Sequence, residues 1–209
     1  MYNIMKIFVI GFNKTGTSSL HELFQQSNIN SCHTSIPVMD IIDVYDAFTD
    51  GTHYNSRFEK YYKKYPSSLF ILNTRPIGNW LISRYKHAKT KNFEDSWCWP
   101  ISEEKTNNWI KDREYHYKKI FEFFLDKPKQ LLIVNIEKNG WEGEVLKFIN
   151  KPIICKSFHH HKTNFKNKQH LLDEITKNVN ECLMDEGYTG DELLIKGVDI
   201  KSYEYASNL

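Results

Sequence analysis

The sequence predicts an α/β fold: one parallel β-sheet covered by helices on both faces, a three-layer sandwich. Three observations point there. The short continuous apolar runs "KIFVIG" (6–11), "SLFILNT" (68–74) and "QLLIVNI" (130–136) have the length and character of strands buried on both faces. Each is followed by residues whose apolar positions recur at helical spacing. Between the first run and the first helix lies "GFNKTGTSS" (11–19), a glycine loop in the strand–loop–helix setting that phosphate binding requires.

The elements follow in order. The run 6–11 ends in a glycine, as a buried strand entering a tight loop would. From Thr17 the period changes: Leu20, Leu23 and Phe24 share a helical face, and Asn28 is the stop. A second strand is expected to end near "NINSCHTS". A tyrosine-rich helix is expected over Ser56 to Tyr65. After 68–74, Pro76 suits the first turn of a helix over 77–88. A long helix follows, from Glu103 to Leu125. The strand 130–136 leads to a short helix over 140–149. The last amphipathic helix covers 170–187, with Gly187 as its C-cap. Crossovers between parallel strands are right-handed, and ligands gather at the carboxyl ends of the strands.

The 209 residues suit one domain, 1–209, with 189–209 giving weak signals and read as a C-terminal tail. A formal charge of +2 points to no nucleic-acid coat and no polybasic membrane anchor, so an anionic partner must be met locally. It also argues against a long polyanionic glycan. No stretch has the apolar length of a membrane span, and the start "MYNIMKIFVIGF" lacks a cleavage-like pattern, so it reads as a strand. Cys32, Cys98, Cys155 and Cys182 are scattered, which fits reduced thiols in a cytoplasmic protein. The run His159–His161 has no carboxylate or cysteine at ligand spacing, so no metal site is expected.

The usual phosphate loop reads G-x-x-x-x-G-K-[ST]. Gly11 and Gly16 keep that glycine spacing, but Thr17 stands where the lysine belongs and Lys14 lies three residues earlier. Main-chain amides in the loop and the positive end of the helix dipole favour an anion. Gly16 permits close approach, and Thr15, Thr17, Ser18 and Ser19 add hydroxyls. Without the lysine after the second glycine, a triphosphate with its magnesium is poorly served. A cation at 14 lies over the anion instead. That suits a donor whose transferred group is a sulfuryl and whose leaving group is a phosphate.

"GFNKTGTSSLHELF" resembles the phosphosulfate-binding loop of the P-loop sulfotransferases that use 3′-phosphoadenosine-5′-phosphosulfate (PAPS). "FILNTRPIGNWLISR" resembles their 3′-phosphate segment, with Arg75 leaving a strand and Ser83 on the next helix. "TDGTHYNSRFEKYYKKYPSSLFILNTR", "LLIVNIEKNGWEGEVLKFINKPI" and "FHHHKTNFKN" resemble segments of a small branch of about this length, so the likeness covers roughly residues 5–168. In that branch an aspartate usually follows the arginine. Here Pro76 does, so a shifted turn is expected rather than loss of phosphate binding.

The resemblance implies in-line transfer from PAPS to a hydroxyl or amine, releasing adenosine 3′,5′-bisphosphate (PAP), with no metal required. Asn13, Lys14, Thr15, Gly16, Thr17, Ser18 and Ser19 would hold the 5′-phosphosulfate, and Arg75 with Ser83 the 3′-phosphate. Lys14 would stabilise charge on the leaving oxygen. His33 is the first candidate for the base, since a histidine suits neutral pH, and Asp50 is the second. His53 and His87 are weaker candidates. Trp80 either stacks on adenine or packs in the core. Trp97 and Trp99 are read as acceptor contacts, and Lys162 or Lys166 as neighbours of the 3′-phosphate or as parts of a solvated loop. The acceptor is a small molecule or a glycan. Two other readings remain at this point: a small-molecule kinase with an aberrant loop, and a non-catalytic nucleotide-binding protein on the same fold.

Overall fold

The computed structural model describes residues 5–33, 41–50, 56–88, 100–153 and 169–196. In chain order the elements are β1 Ile7–Val9, α1 Thr17–Gln26, β2 Ser31–Cys32, β3 Ala47–Phe48, α2 Phe58–Lys64, β4 Leu69–Thr74, α3 Ile77–Ala88, α4 Glu103–Phe124, a 3-10 turn Pro128–Gln130, β5 Leu131–Asn135, α5 Trp141–Phe148 and α6 Gln169–Asp185. The chain divides into two compact units: Met1–Thr74, Ile120–His160 and Asp199–Leu209 form the first, and Arg75–Lys119 with His161–Val198 the second.

The first unit holds a five-stranded sheet in the order β2-β3-β1-β4-β5. Every pairing is parallel, and helices flank the sheet, as the sequence predicts. Side chains alternate between faces along a strand. Ile7, Val9 and Ile71 therefore meet Leu20, Leu23 and Phe24 of α1 and Val145 and Leu146 of α5 on one face. Phe8 points the other way. It lies in register with Phe48 and Phe70, and the three rings form a row with centroid spacings of 5.4 Å on each side. Tyr61 of α2 closes over Phe8 at 5.0 Å, and Phe124 over Phe70 at 5.0 Å. This row aligns the short strand β3, which offers few hydrogen bonds of its own.

Three segments end by the same device. Asn28, Asn150 and Gly187 have positive φ of 56°, 54° and 75°. Each lets the next amide reach back into the last helical turn: Ile29 to Phe24 O (2.9 Å), Lys151 to Leu146 O (2.8 Å) and Tyr188 to Leu183 O (2.7 Å). Asn28 and Gly187 are the stops read from the sequence.

The chain leaves β1 toward β2 on one side of the sheet and reaches β5 after β4 on the other. The order therefore reverses between β1 and β4, and their carboxyl ends frame the crevice where such sheets place ligands.

The second unit is helical. α6 packs against α3. The guanidinium of Arg84 lies over the rings of Trp80 (4.9 Å) and Trp109 (4.3 Å). Hydroxyls link the helices: Tyr85 to Thr106 at 2.8 Å, and Thr106 to Asn178 Oδ1 at 2.7 Å. Residues 188–194 form a strap over the start of α3. Its carbonyls at Glu192 and Gly190 accept the N–H groups of Ile77 and Gly78, both at 2.9 Å. Arg113, fully buried, holds the strap from below. It donates to Leu194 O at 3.0 Å and to Leu193 O, with longer contacts of 3.5 Å to the carbonyls of Glu192 and Arg75. The Glu192 carboxylate turns back on the strap and accepts from the N–H groups of Thr189 (2.7 Å) and Gly190 (2.8 Å).

Candidate anion-binding and catalytic site

The loop after β1 is shaped by contacts with β4. The Gly11 N–H donates to Asn73 Oδ1 at 3.0 Å, and Asn73 Nδ2 donates to Thr15 O at 2.9 Å and to Thr15 Oγ1 at 2.7 Å. Asn73 is fully buried, so one side chain staples both ends of the turn. A Cβ at Gly11 would run into the carbonyl oxygen and side chain of Asn73, which explains the glycine. Lys14 (φ 66°) and Gly16 (φ 88°) are both left-handed. Such residues flanking Thr15 curl the backbone in the manner of an anion nest. At Gly16 a Cβ would also come within 2.9 Å of Ile136 Cδ1.

Gly16 is the N-cap of α1, with no side-chain cap and no acidic residue in the first turn. The N-cap and first turn thus bring neither a side-chain acceptor nor a carboxylate to the positive end of this helix. Asn13 and Lys14 are half-buried, Ser18 is exposed, and Thr17 and Ser19 are largely buried. Thr15 is turned inward: its hydroxyl donates to Phe12 O and accepts from Asn73. What it can offer a ligand is its N–H.

His33 and Asp50 follow β2 and β3, which pair with each other, and so reach the same sheet edge. The Thr49 hydroxyl donates to Cys32 O (3.2 Å), so the contact of His33 Nδ1 with Thr49 Oγ1 at 3.0 Å is a donation from the imidazole N–H. This assigns the tautomer and leaves Nε2 with its lone pair. Nε2 lies 3.2 Å from Ser18 Oγ and 3.8 Å from Asp50 Oδ2. His21 stacks on His33 with ring centroids 5.4 Å apart and is itself fixed by Ser31 Oγ at 2.9 Å from Nδ1.

Burial lowers the His33 pKa. The Asp50 carboxylate opposes that effect, and the Lys14 ammonium adds to it. Burial and the charge of His33 likewise lower His21. Both rings are thus held neutral at neutral pH. A proton-NMR titration is expected to place the His33 midpoint below its ordinary 6.5. Asp50→Asn should lower it further, and Lys14→Gln should raise it. The unfolded chain takes up this proton first. Stability contributed above about pH 6.5 is therefore lost as the pH falls toward the folded-state value. A midpoint at or above 6.5 would contradict this account.

In the second unit, Arg75 is half-buried just before α3, and its carbonyl is held by Arg113. Ser83 and His87 are half-buried on α3. Trp80 is fully buried beneath Arg84. Of its two readings, core packing holds. His53, Trp97, Trp99, His159, His160, His161, Lys162 and Lys166 lie outside the described residues. Among the described residues, no three of His, Cys, Asp and Glu gather as a metal site requires, and no helix is long and apolar enough to cross a membrane.

Two positioning residues escape the sequence reading. Asn73 sits inside an apolar run, and Thr49 is an ordinary hydroxyl near a turn. The signal for Asn73 is the burial of an amide in a central strand, which demands partners.

Fold and site define an α/β protein with a glycine-capped helix start behind a glycine loop and a histidine–carboxylate pair beside it. A solved structure similar to the chain is that of a sulfotransferase from Alicyclobacillus acidocaldarius, 13% identical, covering 95% of this chain and 98% of that one, with a TM-score of 0.49. No family model and no curated protein matches the chain.

Proposed function

We propose that the protein transfers a sulfuryl group from PAPS to a hydroxyl or amine of a small-molecule or glycan acceptor. The observation that carries this reading is the meeting of Ser18 and Asp50 at His33 Nε2, beside the glycine-capped start of α1 and within electrostatic reach of Lys14. An anion seated at residues 13–19 then lies beside a neutral imidazole whose Nε2 meets the Ser18 hydroxyl of the same loop and helix start.

The acceptor's oxygen or nitrogen forms a bond to sulfur as the bond from sulfur to the 5′-phosphate oxygen breaks. His33 Nε2 takes the acceptor's proton. Asp50, 3.8 Å away, stabilises the imidazolium once it forms, and Thr49 keeps the ring in the useful tautomer. Lys14 and the loop amides meet the charge that develops on the leaving phosphate. In the second unit, Arg75 and Ser83 are assigned to the 3′-phosphate, for which a guanidinium fork is suited.

Calorimetry tests the reading directly. Adenosine 3′,5′-bisphosphate is expected to bind at about micromolar Kd (about −8 kcal/mol) without magnesium. Arg75→Ala should weaken binding about 10- to 100-fold. Magnesium-dependent ATP binding in its place would show a kinase. Bisphosphate binding without transfer to any acceptor in a broad panel would show a non-catalytic protein.

A further inference from the structure

The helix that carries Ser83 presents another cation on the same side. With about 3.6 residues per turn, Asn79, Ser83 and Lys86 fall within about 60° of one another around α3. Of the other positions on α3, Ile77, Trp80, Leu81, Arg84 and Tyr85 are buried, and Ile82 and His87 are half-buried. Asn79 is exposed, while Ser83 and Lys86 are half-buried. Residues 79, 83 and 86 thus form a polar stripe on a largely buried helix.

Two observations give this stripe a task. Two amides of the first turn of α3 are engaged: the N–H groups of Ile77 and Gly78 are accepted by strap carbonyls. An anion on this stripe is therefore met chiefly by side chains. Secondly, burial and the charge of Arg75 lower the pKa of the Lys86 ammonium, so the two cations lie within electrostatic reach. Helical side chains lean toward the N-terminus, which carries Lys86 over the turn of Ser83 and toward Arg75.

We propose that Lys86 is the second cation of a phosphate-monoester site on α3, acting with Arg75 and Ser83. The proposal rests on the assignment of those two residues to the 3′-phosphate. Arginine supplies the planar fork and lysine a point charge, two complementary ways to hold one phosphate.

The test compares adenosine 3′,5′-bisphosphate with adenosine 5′-phosphate by calorimetry, in the wild type and in Lys86→Met, Lys86→Gln and Lys86→Arg. Circular dichroism confirms that each variant is folded. The wild type is expected to prefer the bisphosphate. Lys86→Met and Lys86→Gln should lose about 10- to 100-fold of that preference with 5′-phosphate binding unchanged, and Lys86→Arg should keep most of it. An intact preference in Lys86→Met, or equal weakening of both ligands, overturns the role of Lys86 while leaving the donor reading in place. A wild type with no preference for the bisphosphate overturns both.

Discussion

Lys14→Ala is expected to lower turnover by about 10²–10³-fold, the usual loss when one group stabilising developing charge is removed. Binding of adenosine 3′,5′-bisphosphate should be largely spared, because Arg75 is untouched. Backbone geometry supports the prediction. Lys14 holds a φ of 66°, which costs a residue with a Cβ about 1–2 kcal/mol relative to glycine. Glycine would occupy this position with less strain, so backbone preference does not explain the lysine. Its charge also reaches His33. Lys14→Gly makes the separation clean: Tm should stay level or rise while turnover falls as far as in Lys14→Ala. The readout is conversion of PAPS to the bisphosphate in the presence of phenolic, sugar and amine acceptors. Undiminished turnover in a folded Lys14→Ala protein would remove Lys14 from the chemistry.

The second large effect concerns stability. Arg113→Leu should destabilise the protein by about 3–5 kcal/mol, since the buried carbonyl of Leu194 and the partly buried one of Leu193 lose their donor, at a cost of about 1–3 kcal/mol each when left unsatisfied. The guanidinium is fully buried, donates to Leu193 O and Leu194 O, and lies 4.6 Å from the Tyr117 ring centroid. Leucine fills much of the volume and none of the hydrogen-bonding role. Arg113→Lys should recover only part of the loss, because one ammonium cannot reproduce the fork. Urea midpoints at constant m-value measure both. A loss below about 1 kcal/mol would mean that water takes over the strap carbonyls at little cost.

Much of the architecture was legible because it is written locally. β1, β4 and β5 coincide with continuous apolar runs, and α3 and α6 with clear helical spacing. β3 was not foreseen. It has two residues, Ala47 and Phe48, between Asp46 and Thr49, and the row Phe48–Phe8–Phe70 that aligns it exists only once the strands are side by side. The site divides in the same way. Residues 13–19 announce themselves by glycine spacing beside a strand. Asn73 becomes meaningful only when β4 is placed next to β1, and the strap only when Arg113 finds carbonyls about eighty positions away. Trp80 carried two readings because helical period alone does not say whether a large ring faces a ligand or a neighbouring helix.

The covered start of α3 affects how such a protein can change over generations. A ligand gripped by main-chain amides is indifferent to most single-codon changes, because the backbone is the same whatever the codon. With the amides of Ile77 and Gly78 already engaged by Glu192 and Gly190, the polar stripe of α3 can be rewritten one side chain at a time, and the helix itself need not move. Evolution, or an engineer, can therefore vary recognition on that stripe while the loop at the start of α1 keeps a fixed inheritance.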